Sequence, residues 1–288
     1  MAVLLTRDTR VIVQGITGRE GSFHTAQMKL MGTQVVGGVT PGRGGQEHEG
    51  SPIFDTVAEA VLATGATATG IFVPPPFAAD AILEAADAGI ELIVCITEGV
   101  PVQDMIRVKD FLRLRPATRL IGPNCPGLLT PGQAKIGIIP QRFSSPGHVG
   151  IVARSGTLTY EAMAALTEAG MGQSSVVGIG GDPVPGLTFV DVIELFENDP
   201  ETTHLVVIGE IGGSDEERGA ELIGRGSRLK TVGFISGRTA PEGKRMGHAG
   251  AIVSGNRGTA KSKEDAFRAA GVAVAETTDQ IVELLQKS

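Results

Sequence analysis

The sequence has no tryptophan, one tyrosine and only 4% aromatic residues, and it contains no dense run of lysine or arginine. A nucleic-acid surface built from basic patches and stacking aromatics is therefore not expected. The net charge of −7 points the same way. Cysteine is scarce, and Cys95 and Cys125 are too far apart for a C-x-x-C metal pair or a disulfide framework. That usage fits a reducing, cytoplasmic setting. No apolar run reaches the roughly 18 residues that span a bilayer, and the stretch 1–9 is too short and polar for a secretory leader. No pair of histidines has metal-ligand spacing. A nucleotide-hydrolysis loop is missing as well. Residues 237–244 hold one residue too many between the glycines, and Arg245 stands where a Ser or Thr would hold Mg²⁺.

What is abundant is glycine, 41 of 288 residues, set in turns between apolar runs. β-Branched runs alternate with alanine-rich helical stretches, the rhythm of βαβ units around parallel sheets. Strands are expected over 10–14, 34–40, 70–73, 92–97 and 119–122, with helices over 21–31, 56–64, 78–88 and 102–115 between them. A second series follows, with strands over 148–154, 174–179, 204–209, 231–236 and 272–275 and helices over 157–169, 189–198, 216–228, 263–270 and 278–286. The fold class is α/β in two domains, 1–130 and 148–288, joined by a Pro- and Gly-rich linker over 131–147.

In the first domain a strand runs into Gln14-Gly15-Ile16-Thr17-Gly18-Arg19-Glu20-Gly21 and then a helix. Free N–H groups and the helix dipole make such a turn an anion site. Its spacing is G-x-x-G-x-x-G, not the G-x-G-x-x-G of dinucleotide enzymes. NAD enzymes also place an acid at the end of the second strand; here Arg43 stands there, suited to a phosphorylated ribose such as that of NADP or coenzyme A. Val73 and Pro74 open a proline-stiffened loop able to line an adenine or pantetheine slot, and Ile96-Thr97-Glu98 and the turn at Asn124 also sit at strand ends.

In the second domain Ser155-Gly156-Thr157 and Tyr160 join a strand to a helix, where hydroxyls and free N–H groups can bind a phosphoryl group or simply cap the helix. Glu210 sits at a strand end. His248 lies in Gly243-Lys244-Arg245-Met246-Gly247-His248-Ala249-Gly250, accessible among glycines and able to titrate near neutral pH. Those are the properties of a nucleophile that receives a group and passes it on. His24, His48, His148 and His204 are expected to be structural or solvated.

These motifs, with Gly37-Gly38-Val39-Thr40-Pro41-Gly42, Gly122-Pro123-Asn124-Cys125-Pro126-Gly127 and Gly180-Gly181-Asp182-Pro183, follow one another in the order of a known family. Over essentially its whole length the chain resembles the α subunit of succinate–CoA ligase. The resemblance implies an N-terminal Rossmann-like CoA-binding domain and a C-terminal flavodoxin-like domain. It implies His248 as a phosphorylated nucleophile oriented by Glu210. It also implies CoA contacts at Thr17, Gly18, Arg19, Glu20, Arg43, Ile96, Thr97 and Glu98, a substrate-side Tyr160, and a helix N-terminus at Ser155-Gly156-Thr157 facing the phosphohistidine. The implied partner is an ATP-grasp β subunit, in an αβ or α2β2 assembly, carrying ATP/ADP or GTP/GDP with Mg²⁺. The chain departs from the family pattern at Arg19-Glu20, often Ser-Gln, and at Arg43, often lysine; the latter change keeps the charge and turns a point donor into a fork. Three rivals differ in chemistry. They are an α subunit acting on malate, an NAD(P)-dependent oxidoreductase, which the glycine spacing opposes, and a noncatalytic CoA sensor, which has no need of His248 and Glu210.

Overall fold

The computed structural model describes residues 3–241, 243–253 and 258–287, and these form two compact units. The first runs from Leu4 to Ile139 with Val184–Gly186; the second holds Val3, Pro140–Pro183 and the chain from Leu187 onward.

The first unit contains β1 (Arg10–Gln14), α1 (Arg19–Met31), β2 (Gln34–Val39), β3 (Glu47–His48), β4 (Ser51–Phe54), α2 (Val57–Thr64), β5 (Ala68–Ile71), α3 (Pro75–Asp87), β6 (Leu92–Cys95), α4 (Val102–Arg113), β7 (Arg119–Ile121), β8 (Gly127–Thr130) and β9 (Ala134–Gly137). Its sheet runs β3-β4-β2-β1-β5-β6-β7. Only β3 is antiparallel within it. Counting the parallel strands alone, the order is third, second, first, fourth, fifth, sixth, which is the Rossmann order. Strands β5 and β6 are buried on both faces, as parallel strands covered by helices must be. Helix α3 buries Ala78, Ala81, Ile82 and Ala85, small enough to bring it close to the sheet core at Ile12, Ile71 and Ile93.

The second unit contains β10 (Pro146–Ala153), α5 (Gly156–Glu168), β11 (Gln173–Gly178), α6 (Phe189–Glu197), β12 (His204–Glu210), α7 (Asp215–Gly224), β13 (Lys230–Ser236), α8 (Ala260–Ala269), β14 (Ala273–Ala275) and α9 (Thr278–Lys287). Its strands stand in the order β14-β13-β12-β10-β11 and are parallel. In chain order that is fifth, fourth, third, first, second, the flavodoxin order. A capping box starts α6: the Asp191 N–H donates to the Thr188 hydroxyl at 3.3 Å, and Asp191 accepts from the Thr188 N–H at 2.8 Å.

The stretch 131–147 is not the irregular linker its prolines and glycines suggest. Strand β9 lies inside it and pairs antiparallel with β8, the turn between them holding Gly132 at φ 73°. A 3-10 turn at Gln141–Phe143 and the first residues of β10 fill the rest. Turn residues punctuate a hairpin as readily as a linker. The buried Leu128, Leu129 and Ile136 mark the hairpin as part of the core. Among the described residues no helix is long and apolar enough to cross a membrane.

Candidate active site

In the first unit the strand order reverses between β1 and β5, the place where open α/β sheets admit ligands. A cleft of about 810 Å³ opens there. Gln14 and Gly15 form its floor; Gly18, Arg19 and Glu20 line the α1 side; Phe72, Val73 and Pro74 and the α3 residues Phe77, Asp80, Ala81 and Glu84 line the other. The turn into α1 is tight because a Cβ on Gly21 would sit 2.2 Å from the Gly15 carbonyl oxygen. Gly18 caps α1 without a side chain, leaving first-turn N–H groups for a ligand anion.

Thr17, Arg43, Ile96, Thr97, Glu98 and Asn124 do not line this cleft. Three are tied to residues that do. The Thr17 and Thr40 hydroxyls are 3.2 Å apart. The exposed Arg43 donates its N–H to the Thr40 carbonyl at 3.1 Å. The Thr97 hydroxyl donates to the Val73 carbonyl at 2.7 Å, and the Asn124 N–H donates to the Thr97 carbonyl at 2.9 Å. Ile96 follows the end of β6, its N–H bonded to the Ile71 carbonyl at 3.1 Å, with Glu98 exposed beyond it. The α3 wall has no place among the expected site residues. Its signal is the helical spacing of Phe77, Ala81 and Glu84, which puts them on one face. His24 adjoins this region: its ring stacks on Phe72 with centroids 5.7 Å apart. Burial, and then the nearby Lys135, lower its pKa below the ordinary histidine value, with Glu20 opposing.

In the second unit the order reverses between β10 and β12, and the expected phosphoryl residues collect at that end of the sheet. Glu210, buried, closes β12. His248 lies on the segment between β13 and α8, with its Nδ1 2.7 Å from Glu210 Oε2. A carboxylate only accepts, so in the neutral ring this bond places the proton on Nδ1 and leaves the lone pair on Nε2. The imidazole lies against Gly181, where a Cβ would stand 2.1 Å from His248 Cγ. Main-chain bonds hold the segment: Gly250 N–H donates to the Gly181 carbonyl at 3.0 Å, and Ala251 N–H to the His248 carbonyl at 3.1 Å.

Strand β10 pairs with β12, and Arg154 N–H donates to the Ile208 carbonyl at 3.2 Å. That registers Ser155 beside the end of β12. Ser155 caps α5, its hydroxyl accepting from the Leu158 N–H at 3.5 Å, with Gly156 and Thr157 in the first turn and Tyr160 half-buried further along. A helix N-terminus can hold phosphoryl charge, and a carboxylate-oriented imidazole can attack phosphorus. The other histidines have local partners. His48 Nε2 is 3.0 Å from the Ser22 hydroxyl, His148 Nδ1 is 2.8 Å from the Glu201 carbonyl, and His204 Nδ1 is 2.7 Å from the Thr203 hydroxyl.

A Rossmann-order unit with an anion-ready cleft and, in the same chain, a flavodoxin-order unit carrying an oriented histidine define the class: a CoA ligase chain. The family model described as "CoA binding domain" matches residues 6–99, and the one described as "CoA-ligase" matches residues 152–273. The α subunit of the ADP-forming succinate–CoA ligase of Aquifex aeolicus is 60% identical over 288 residues, all of this chain and 94% of that one. Its counterpart from Staphylococcus aureus is 56% identical over 281 residues, 98% of this chain and 93% of that one. Among solved structures, the ATP citrate lyase of Methanothrix soehngenii in complex with citrate and coenzyme A superposes with a TM-score of 0.90 at 26% identity, over 99% of this chain and half of the lyase chain. The chain belongs to the family of ADP-forming succinate–CoA ligase α subunits.

Proposed function

We propose that the chain converts succinyl-CoA, phosphate and ADP reversibly to succinate, CoA and ATP, together with an ATP-grasp β subunit, in the cytoplasm. A phosphate oxygen attacks the thioester carbonyl; the C–S bond breaks and CoA leaves as thiol, with succinyl phosphate formed. The Nε2 atom of His248 then attacks phosphorus and the P–O bond to the acyl group breaks, releasing succinate. An oxygen of ADP finally takes the phosphoryl group from nitrogen and regenerates the free imidazole. Dividing one transfer into three makes each step easier. The partner holds the nucleotide and Mg²⁺, since this chain has no Walker A loop. Ser155, Gly156 and Thr157 stabilise phosphoryl charge, and Tyr160 stands on the substrate side. The observation that carries this reading is the Glu210–His248 bond of 2.7 Å, which leaves Nε2 as the only nucleophilic ring atom.

The cleft of the first unit takes CoA. The adenine lies between the Val73-Pro74 loop and α3, the pyrophosphate on the α1 N-terminus at Thr17, Gly18, Arg19 and Glu20, and the ribose 3′-phosphate near Arg43. Ile96, Thr97, Glu98 and Asn124 extend the site toward the pantetheine arm. If Arg43 meets the 3′-phosphate, Arg43→Ala weakens CoA binding about 10–100-fold, the worth of a charge-assisted bond, and leaves dephospho-CoA binding unchanged. Calorimetric titration with both ligands checks this; equal losses for the two would remove Arg43 from the 3′-phosphate.

Turnover of the complex with its β subunit tests the reaction. Succinyl-CoA is expected to form from succinate, CoA and Mg-ATP, with ADP and phosphate released in equal amounts. Formation of malyl-CoA from malate, with none from succinate, would make the malate ligase the better reading. Reduction of NAD(P) in place of either would make it an oxidoreductase.

A further inference from the structure

Beneath the Glu210–His248 pair lies a buried charge cluster built from residues whose types look like surface positions. Glu216, in the first turn of α7, is fully buried. Its Oε1 accepts from Arg154 Nε at 2.9 Å and from the backbone N–H of Glu210 at 3.3 Å. Its Oε2 is paired with the ammonium of Lys263 on α8. Lys263 is also fully buried, and it donates to the Gly212 carbonyl at 2.8 Å. Although burial opposes its charge, Arg154 and Lys263 hold the Glu216 carboxyl below the ordinary value. Glu216, Asp215 and Glu210 likewise hold the Arg154 guanidinium above its own.

The elements joined by this carboxylate are those that carry the reacting groups. Arg154 directly precedes Ser155, and Glu210 closes β12. Through Lys263 the cluster fixes Gly212, which abuts the histidine segment: Gly212 N–H donates to the Gly258 carbonyl at 2.8 Å, and a Cβ on Gly212 would lie 2.0 Å from the Gly250 carbonyl oxygen. Gly250 is two residues beyond His248 and bonded to Gly181, against which the imidazole lies. A shift of Gly212 is therefore passed by direct backbone contact to the histidine. Stability gives no reason to build such a cluster here, since packed apolar residues serve a core as well as buried ion pairs do.

We propose that Glu216, held between Arg154 and Lys263, is a positioning residue for phosphoryl transfer, one that fixes the spacing of Ser155, Glu210 and the His248 segment without touching substrate. This rests on the reading of His248 as phosphoryl carrier.

The test is single-turnover labelling of the full chain in complex with its β subunit, using ATP radiolabelled in the γ-phosphate, with rate constant and amplitude recorded separately. Two variants are compared with the unaltered chain: Lys263→Met, and the charge-balanced pair Glu216→Gln with Lys263→Met. Lys263→Met is expected to lower the rate constant about 10–100-fold, the effect of displacing a reacting group by about 1 Å. CoA affinity and the labelled fraction of folded complex stay unchanged. The double variant recovers melting temperature and stays slow, because no ammonium holds the Gly212 carbonyl. Loss of amplitude at an unaltered rate constant, or a double variant that labels as fast as the unaltered chain, would reduce the cluster to a structural role. If the unaltered complex takes up no label, the carrier reading fails first and the positioning role falls with it.

Discussion

Replacing His248 by asparagine is expected to abolish turnover, by on the order of 10⁴-fold or more, in a chain that still folds and binds CoA. The imidazole has its Nε2 lone pair directed by a carboxylate partner, its Nδ1 2.7 Å from Glu210 Oε2. Asparagine fills part of the space and can still donate to Glu210, but it has no nucleophilic nitrogen. The cost to folding is small. His248 lies on a segment held by main-chain bonds, Ala251 N–H to the His248 carbonyl and Gly250 N–H to the Gly181 carbonyl, that the substitution leaves in place. The most it exposes is an imperfectly paired Glu210, worth about 1–3 kcal/mol. Steady-state turnover of the complex and calorimetric CoA titration check both halves of the expectation. A His248→Asn complex with a tenth of the ordinary turnover would remove the histidine from the reaction.

The second large effect is steric. Gly181→Ala is expected to slow phosphorylation of His248 by on the order of 10²-fold while leaving CoA affinity and melting temperature nearly unaltered. A Cβ on Gly181 would stand 2.1 Å from His248 Cγ, 2.3 Å from Nδ1 and 2.6 Å from Cβ. Carbon atoms in contact need about 3.5 Å, so the imidazole must retreat by about 1.4 Å, which breaks its bond to Glu210 and re-aims Nε2. Gly181 is absent from the positive-φ glycines, so alanine adopts the backbone there without strain and the effect isolates the clash. Single-turnover labelling gives the rate, and thermal melting gives the stability. Labelling at the ordinary rate would mean that the imidazole reacts from a position other than the one against Gly181.

The α/β rhythm made most of the fold legible, because parallel strands covered on both faces read as continuous apolar runs. Strand 10–14 and the starts of β2, β6, β7 and β12 fall where the pattern puts them. What escaped was short or punctuated. β3 has two residues, β4 carries Pro52, and β8 and β9 are framed by the prolines and glycines that suggested a linker. The order of strands within each sheet has no local signature, since it depends on which side each crossover takes. For the candidate site, the glycine loops follow strands at the points where each sheet order reverses. The pairing of Glu210 with His248, 38 residues apart, entered through resemblance, because separation along the chain does not encode a contact. Lys263 reads as a surface lysine on the mixed sequence of α8, and only the fold reveals its burial against Glu216. Gly181 looks like any turn glycine until the imidazole is placed beside it.

The most direct test of the central claim is mass spectrometry of the native complex with the β subunit after incubation with Mg-ATP, under conditions that preserve acid-labile phosphate. The account expects one phosphate on the peptide that contains His248, lost on addition of succinate and CoA together and retained with either alone. A fully active complex with no phosphate on that peptide would contradict it.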